Sequence, residues 1–161
     1  MGSGIGIGNA NLFTSVAGVV TPPGYSNLYS IDFDGVDEFI DLGNNATLRP
    51  SIAAGVSFSV WAKWVDVTAG STSIFSNNSQ AGAYYGLNVD KNASGYIAMG
   101  TGDGTGVGST DRRTCRTVSN ELTNNTWHHI VCVWGNTDKA NFEIYIDGAA
   151  VATLTSGSGG P

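Results

Sequence analysis

The stretch Val56-Ser57-Phe58-Ser59-Val60-Trp61-Ala62-Lys63-Trp64-Val65 decides the fold class of this 161-residue chain. Larger apolar side chains and Ala62 occupy every second position, and the positions between them hold mostly polar ones. The first set comprises Val56, Phe58, Val60, Ala62 and Trp64, and the second comprises Ser57, Ser59, Trp61 and Lys63. A period of two kept over the whole stretch predicts a β-strand with two different faces, because a helix would scatter these side chains around its axis.

Shorter runs of the same kind follow one another along most of the chain. Gly, Asn and Asp turn signals separate them at intervals of about 8–12 residues, the spacing of an all-β sandwich or barrel. The runs lie at residues 29–33, 38–42, 73–76, 84–90, 95–99, 114–118, 127–134, 141–147 and 150–154. Asp147-Gly148 between the last two runs predicts a tight hairpin. We therefore predict an all-β fold, a two-sheet antiparallel β-sandwich.

The composition excludes two classes of partner. Charged residues make up 12% of the chain and the net charge is −6. Duplex nucleic acid needs clustered Lys and Arg, and the one basic cluster, Arg112, Arg113 and Arg116, is too small to bind it. No apolar stretch is long enough to cross a bilayer, so we expect no membrane insertion.

Three segments are predicted along the chain. Residues 1–27 form a Gly- and Asn-rich extension or docking arm that ends at Thr21-Pro22-Pro23-Gly24. Residues 28–155 form the sandwich, and residues 156–161 form a flexible Gly/Ser tail. Cys115 and Cys132 are expected in the two strands of one hairpin. A disulfide between them and a pair of buried thiols both stay open.

Four segments carry a resemblance to a known family. They are Ser30-Ile31-Asp32-Phe33-Asp34-Gly35-Val36-Asp37-Glu38-Phe39-Ile40, Phe58-Ser59-Val60-Trp61-Ala62-Lys63, Trp127-His128-His129-Ile130-Val131 and Glu143-Ile144-Tyr145-Ile146-Asp147-Gly148. In this order and spacing they resemble the laminin-G-like, or concanavalin A-like lectin/glucanase, superfamily over about residues 28–155. The resemblance implies a jelly-roll sandwich. Members usually add a closing strand after the last hairpin, so we expect the N-terminal extension or another chain to complete the sheet, or the sequence to stop short.

Glycoside hydrolysis would need two carboxylates on one strand face that flank a glycosidic bond. The acid-rich turn at residues 34–38 offers no such alternation. Glu143 and Asp147 lie four residues apart with Tyr145 between them on the same face. We therefore expect no enzyme.

Calcium and turn-forming, solvated acids are two interpretations of the same carboxylates. Calcium prefers oxygen ligands from loops, and the tentative ligands, not all at one site, are Asp32, Asp34, Asp37, Asp90 and Asp103. We favour solvated acids, and calcium stays open. Adjacent His128 and His129 point to opposite faces and cannot hold one ion, so a hydrogen-bonded sheet histidine is expected beside Trp127. Residues 100–108 are expected to form a mobile rim loop, where sandwiches meet ligands.

Aromatic rings stack on sugar rings when amide groups lie beside them. The glycan-binding candidates, which loops flank, are Tyr84, Tyr85, Asn88, Tyr96 and Trp134. Trp61 and Trp127 are expected in the core instead.

The resemblance implies a non-enzymatic, lectin-like recognition or assembly module. Such domains recur in virion proteins, so we expect a capsid-decoration or fibre protein at a virion surface. Its expected partners are other copies of itself, other virion proteins and surface polysaccharide. No secretory signal is visible at Met1-Gly2-Ser3-Gly4, and a virion-surface or extracellular location is expected. The alternatives are a secreted carbohydrate-binding module of a larger bacterial enzyme or adhesin, and a glycosidase with an unrecognised acid pair.

Overall fold

The computed structural model describes residues 30–43, 52–77, 85–103 and 112–157. The chain divides into two compact units, residues 1–41 and residues 42–161. Each unit is described by itself. The predicted segment boundaries at residues 27 and 155 stay predictions.

The described part of the first unit, residues 30–41, contains no helix or strand and has a bend at residues 35–37. Gly35 has a φ of 77°, and the Asp34 carboxylate accepts a hydrogen bond from the Val36 amide at 2.8 Å. The acid-rich turn expected at residues 34–38 is thus confirmed as a bend. The strands predicted at 29–33 and 38–42 are wrong over their described residues, because these form no ladder with another strand and Ile31 and Phe39 are exposed.

In the described part of the second unit, nine strands form two antiparallel sheets. The four-stranded sheet has the order β1-β6-β7-β8 and the five-stranded sheet has the order β2-β3-β4-β5-β9. The strands are β1 Val56–Ala62, β2 Thr72–Ser76, β3 Tyr85–Lys91, β4 Ile97–Asp103, β5 Arg112–Thr117, β6 His128–Trp134, β7 Phe142–Ile146, β8 Ala149–Ala150 and β9 Thr153–Ser156. Two short 3-10 helices lie at Ile52–Ala54 and Lys139–Asn141. The predicted two-sheet antiparallel β-sandwich is confirmed.

The core is formed by alternate side chains of both sheets. β6 shows the pattern most clearly, since His128, Ile130, Cys132 and Trp134 are buried and the residues between them are half-buried. The other buried apolar side chains in the strands are Leu87, Val89, Ile97, Met99, Cys115, Phe142, Ile144 and Ile146. Burying one large apolar side chain contributes about 1.5–3 kcal/mol, so this alternation is the main stabilising feature of the sandwich.

The predicted strand at 150–154 is in fact two strands in different sheets. Asp147 and Gly148 have φ values of 53° and 82°, and this tight turn starts the predicted hairpin into β8. The chain then changes sheets within two residues. The Val151 amide still bonds to Ile144 of β7, whereas the carbonyl of Ala152 already accepts from Val118, which follows β5.

The rim loop predicted at 100–108 is wrong over its described residues, 100–103. Gly100 to Asp103 belong to β4 and pair with β3 and β5, and residues 104–108 lie outside the described residues. A Cβ at Gly100 would lie 2.6 Å from Asn88 Oδ1. Glycine at this position therefore permits a close cross-strand contact and does not mark a loop.

The two cysteines lie in opposite sheets, Cys115 in β5 and Cys132 in β6. The expectation of a shared hairpin is wrong, because the chain crosses from one sheet to the other between these strands. Both thiols are free and buried, the second of the two alternatives left open. Burial raises the pKa of Cys132 to about 12 and also raises the pKa of Cys115.

We expect neither thiol to react with a thiol-specific reagent at neutral pH while the protein is folded. The thiolate is the reactive form, and burial suppresses both its formation and its access to the reagent. Thiol titration should count none in buffer and two in denaturant without a reductant. A count of none in denaturant would reveal a disulfide and contradict the free thiols.

Candidate functional site

The outward side of the four-stranded sheet carries an exposed patch that we call the aromatic face. It comprises the outward side chains of β1, β6 and β7, with Lys63 and Trp127 just beyond the strand ends. Its members are Ser57, Ser59, Trp61, Lys63, Trp127, His129, Val131, Val133, Glu143 and Tyr145. Trp61 is directly opposite His129, and Val131 is directly opposite Tyr145. The face therefore lies on three hydrogen-bonded strands.

Trp61 and His129 form the centre of this face. Trp61 is 58% exposed, and its ring stacks on the His129 ring with centroids 4.9 Å apart and planes 20° apart. Ser59 Oγ lies 2.8 Å from His129 Nε2, within hydrogen-bonding distance. Most indole side chains in folded proteins are largely buried. An indole that is exposed to solvent and fixed in one orientation is therefore typical of a binding site.

Trp127 and Lys63 extend the face at one end. Trp127 is 43% exposed, and Lys63 Nζ lies 5.5 Å from the centre of its ring. An ammonium over an indole is a cation–π contact, which restrains both side chains. The face thus presents two indoles and one imidazole to solvent.

Polar groups border these rings on β7. The Tyr145 hydroxyl donates a hydrogen bond to Glu143 Oε2 at 2.7 Å, and this bond to a carboxylate raises the pKa of Tyr145. Asp147 accepts from the His129 amide at 2.9 Å and lies 2.7 Å from His128 Nδ1. The two acids considered above for hydrolysis thus each have their own partners.

Two hydrogen bonds hold the His128 ring in a fixed orientation beneath the face. Its Nε2 accepts from the Thr123 backbone amide at 2.9 Å, and a backbone amide can only donate. The ring proton is therefore on Nδ1, which donates to Asp147. His128 is buried and His129 is half-buried, so the expected opposite orientation of the pair and the hydrogen-bonded sheet histidine are confirmed.

Asp147→Asn is expected to destabilise the protein by about 1 kcal/mol at pH 7, because an amide has one acceptor oxygen for two donors and the site is half-exposed to solvent. The His129 amide and then His128 hold the pKa of Asp147 below its ordinary value. Its contribution is present above the unfolded-state pKa and is lost as the pH falls through the folded-state pKa.

The measurement is urea unfolding of the wild type and Asp147→Asn between pH 7 and pH 2. The difference in free energy of unfolding should shrink from about pH 5 downwards. Asp37→Asn, in the first unit, controls for net charge. A difference that stays constant over this range would contradict the role of the Asp147 carboxylate.

Three expectations about tryptophan are wrong. Trp61 and Trp127 are exposed, and Trp134 is 0% exposed in the core. No glycan can stack on Trp134, because β6 points it between the sheets. The signal for Trp61 was already in the sequence, since it shares the serine-rich side of its strand. Trp134 lies in phase with Ile130 and Cys132, which are buried in the structure, but this run is apolar throughout and its sequence does not tell the two faces apart.

The remaining glycan candidates do not lie on the aromatic face. Asn88, which donates to Asp90, and Tyr96 both belong to the five-stranded sheet or its turns. Tyr96 is half-buried, and the Arg116 guanidinium lies 5.2 Å from the centre of its ring. Tyr84 and the side chain of Tyr85 lie outside the described residues. These candidates stay predictions.

The tentative calcium ligands lie in different parts of the chain. Asp32, Asp34 and Asp37 are exposed in the first unit, whereas Asp90 belongs to β3. The side chain of Asp103 is not among those described. Within the described ranges, no three His, Cys, Asp or Glu side chains gather as metal ligands would. Calcium binding through these acids stays open beside the favoured interpretation, solvated acids in turns.

Two antiparallel sheets, a Trp-His strand and an Asp-Gly hairpin together define a lectin-like sandwich, a carbohydrate-binding type of module. The chain belongs to the Concanavalin A-like lectin/glucanases superfamily, whose family profile matches residues 34–161. Comparison with curated proteins and with solved structures found no match. No helix among the described residues has the length and apolar character needed to cross a membrane.

Proposed function

We propose that this chain is a non-enzymatic, lectin-like recognition module that binds polysaccharide on the aromatic face. The observation that carries the proposal is the exposed Trp61 ring fixed flat against His129. The C–H groups of a sugar ring pack on the face of an indole, and a ring that is already oriented loses little entropy on binding.

The surroundings of Trp61 match the rest of a sugar. Ser59, His129, Tyr145 and Glu143 offer hydroxyl, imidazole and carboxylate groups to sugar hydroxyls. Trp127 lies two residues before His129, just ahead of β6, and is exposed on the same face. A second sugar unit can therefore stack on the Trp127 ring. Sites on regular strands are more rigid than sites on loops, which favours recognition of an extended chain.

The hydrogen bonds of Glu143 and Asp147 favour glycan binding without hydrolysis. Hydrolysis needs one carboxyl group to protonate the leaving oxygen while a second acts as nucleophile or activates water. Glu143 accepts from Tyr145, and Asp147 accepts from His128 and His129. We infer that these bonds serve to order the face.

The setting of the module belongs to the same proposal. A virion surface, as capsid decoration or fibre, rests on the resemblance to domains that recur in virion proteins. Detection of the chain in purified virus particles would support this setting. Its detection only within a larger secreted polypeptide would instead favour a carbohydrate-binding module of an enzyme or adhesin.

The test of the function is a panel of soluble bacterial and plant polysaccharides, with binding measured by affinity electrophoresis and reducing sugar measured in parallel. We expect retardation by at least one polysaccharide and no release of reducing sugar. Sustained release of reducing sugar would overturn the non-enzymatic assignment. Absence of retardation across the panel would contradict glycan binding.

A further inference from the structure

Lys91 at the end of β3 is a fully buried cation, 0% exposed. Its Nζ donates hydrogen bonds to the carbonyl oxygens of Val67, Ala69 and Gly70, at 3.1, 3.0 and 2.9 Å. We call residues 66–70 the carbonyl loop. The loop follows β1, and the carbonyls of three of its residues converge on Lys91 Nζ.

The number of acceptors fixes the charge of this group. Three carbonyls need three N–H donors, which an ammonium has and a neutral amine does not. Burial lowers the pKa of Lys91, and the Asp66 carboxylate opposes that effect. Asp66 in turn accepts from the Thr68 amide at 2.8 Å and the Thr68 hydroxyl at 2.7 Å, which bends the loop around the ammonium.

Converging carbonyls with a carboxylate beside them are also how loops bind a hard metal cation. We propose that the carbonyl loop forms a binding site for a cation. In this protein the side-chain ammonium of Lys91, which belongs to β3, occupies that site in place of a free ion. The distances of 2.9–3.1 Å exceed the calcium–oxygen range of about 2.3–2.6 Å, so the cage fits an ammonium. This inference goes beyond glycan binding and is independent of it.

The carbonyl loop is also connected to the end of the aromatic face. The Val67 amide donates to Asn124 Oδ1 at 2.8 Å, and the Asn125 amide donates to the Trp64 carbonyl at 2.7 Å. The first bond joins the loop to the turn just before Trp127, and the second joins that turn to Trp64, which precedes the loop. Lys91 thereby stabilises the loop to which this turn is bonded, whether or not the aromatic face binds a glycan.

The experiment is chemical rescue of Lys91→Ala by small cations. The variant retains the carbonyls and opens a channel to them, so its Tm should fall by about 5–10 °C in tetramethylammonium chloride, whose cation is too large to enter. Ammonium or potassium chloride at the same ionic strength should restore at least half of that loss. Lys91→Met fills the channel with an apolar chain and should show no rescue.

Lys139→Ala is the matched control, because it removes one positive charge whose ammonium donates to the Gly157 carbonyl outside this loop. Its Tm should be the same in all three salts, as should that of the wild type. The proposal is overturned if Lys91→Ala responds to the salts no differently from Lys139→Ala. If Lys91→Ala is unfolded in tetramethylammonium, folding in ammonium or potassium supports the proposal, and failure to fold in all three salts overturns it.

Discussion

Trp61→Ala is expected to weaken glycan binding by about 30-fold, corresponding to ~2 kcal/mol, the loss typical of a central aromatic contact. The substitution removes the stacking surface and also the ring that holds His129 in place. Trp61→Phe keeps an aromatic plane and should lose less. Isothermal titration with the polysaccharide found in the panel measures both variants.

The same substitution should hardly affect folding. Trp61 is mostly exposed, so its removal should change the free energy of unfolding by less than about 1 kcal/mol. Leu154→Ala is the matched control, since Leu154 is an exposed apolar side chain on β9 of the other sheet. Equal weakening by Leu154→Ala, or wild-type affinity in Trp61→Ala, would contradict the proposed site.

Trp134→Ala is expected to destabilise the protein by about 3–5 kcal/mol. Trp134 ends β6 between its partners β1 and β7, is fully buried and meets Phe142 edge-on with ring centroids 6.5 Å apart. Its removal leaves a cavity that the flanking strands cannot close, since both are held in register by hydrogen bonds. Thermal or urea unfolding should show a Tm lower by roughly 10 °C or more.

Trp134→Phe distinguishes the contribution of side-chain volume to stability from that of the indole nitrogen. Trp134 Nε1 has no hydrogen-bond partner among the described residues, so phenylalanine removes an unsatisfied donor along with some volume. These two effects oppose one another, and we expect a net loss of only about 1–2 kcal/mol. A loss as large as that of Trp134→Ala would show that Nε1 contributes a bond of its own.

The sandwich could be predicted from the sequence because its main signal is local. A strand that faces a core on one side shows a period of two, and the sequence of β1 shows it without interruption. The same period places Trp61 outside. The expectation that Trp61 and Trp127 lie in the core is wrong, because position along the chain, and not side-chain size, decides which face a residue joins.

Other features could not be predicted because they depend on distant partners. Lys91 meets acceptors 21 to 24 residues away, and nothing in its local pattern sets it apart from a solvated lysine. The change of sheets between β8 and β9 occurs within one apolar run, where a local pattern cannot show which sheet each residue joins. The allocation of β5 and β6 to opposite sheets, which separates the cysteines, is likewise a matter of long-range pairing.

The most direct test of glycan recognition on the aromatic face is an NMR titration of the ¹⁵N-labelled protein with the polysaccharide that the panel identifies. The chain has four tryptophans, so each indole N–H gives a separate signal to follow. We predict that the signals of Trp61 and Trp127 shift on binding and that the signal of buried Trp134 does not. Shifts at Asn88 and Tyr96, with Trp61 and Trp127 unchanged, would place the ligand on the five-stranded side and contradict the account.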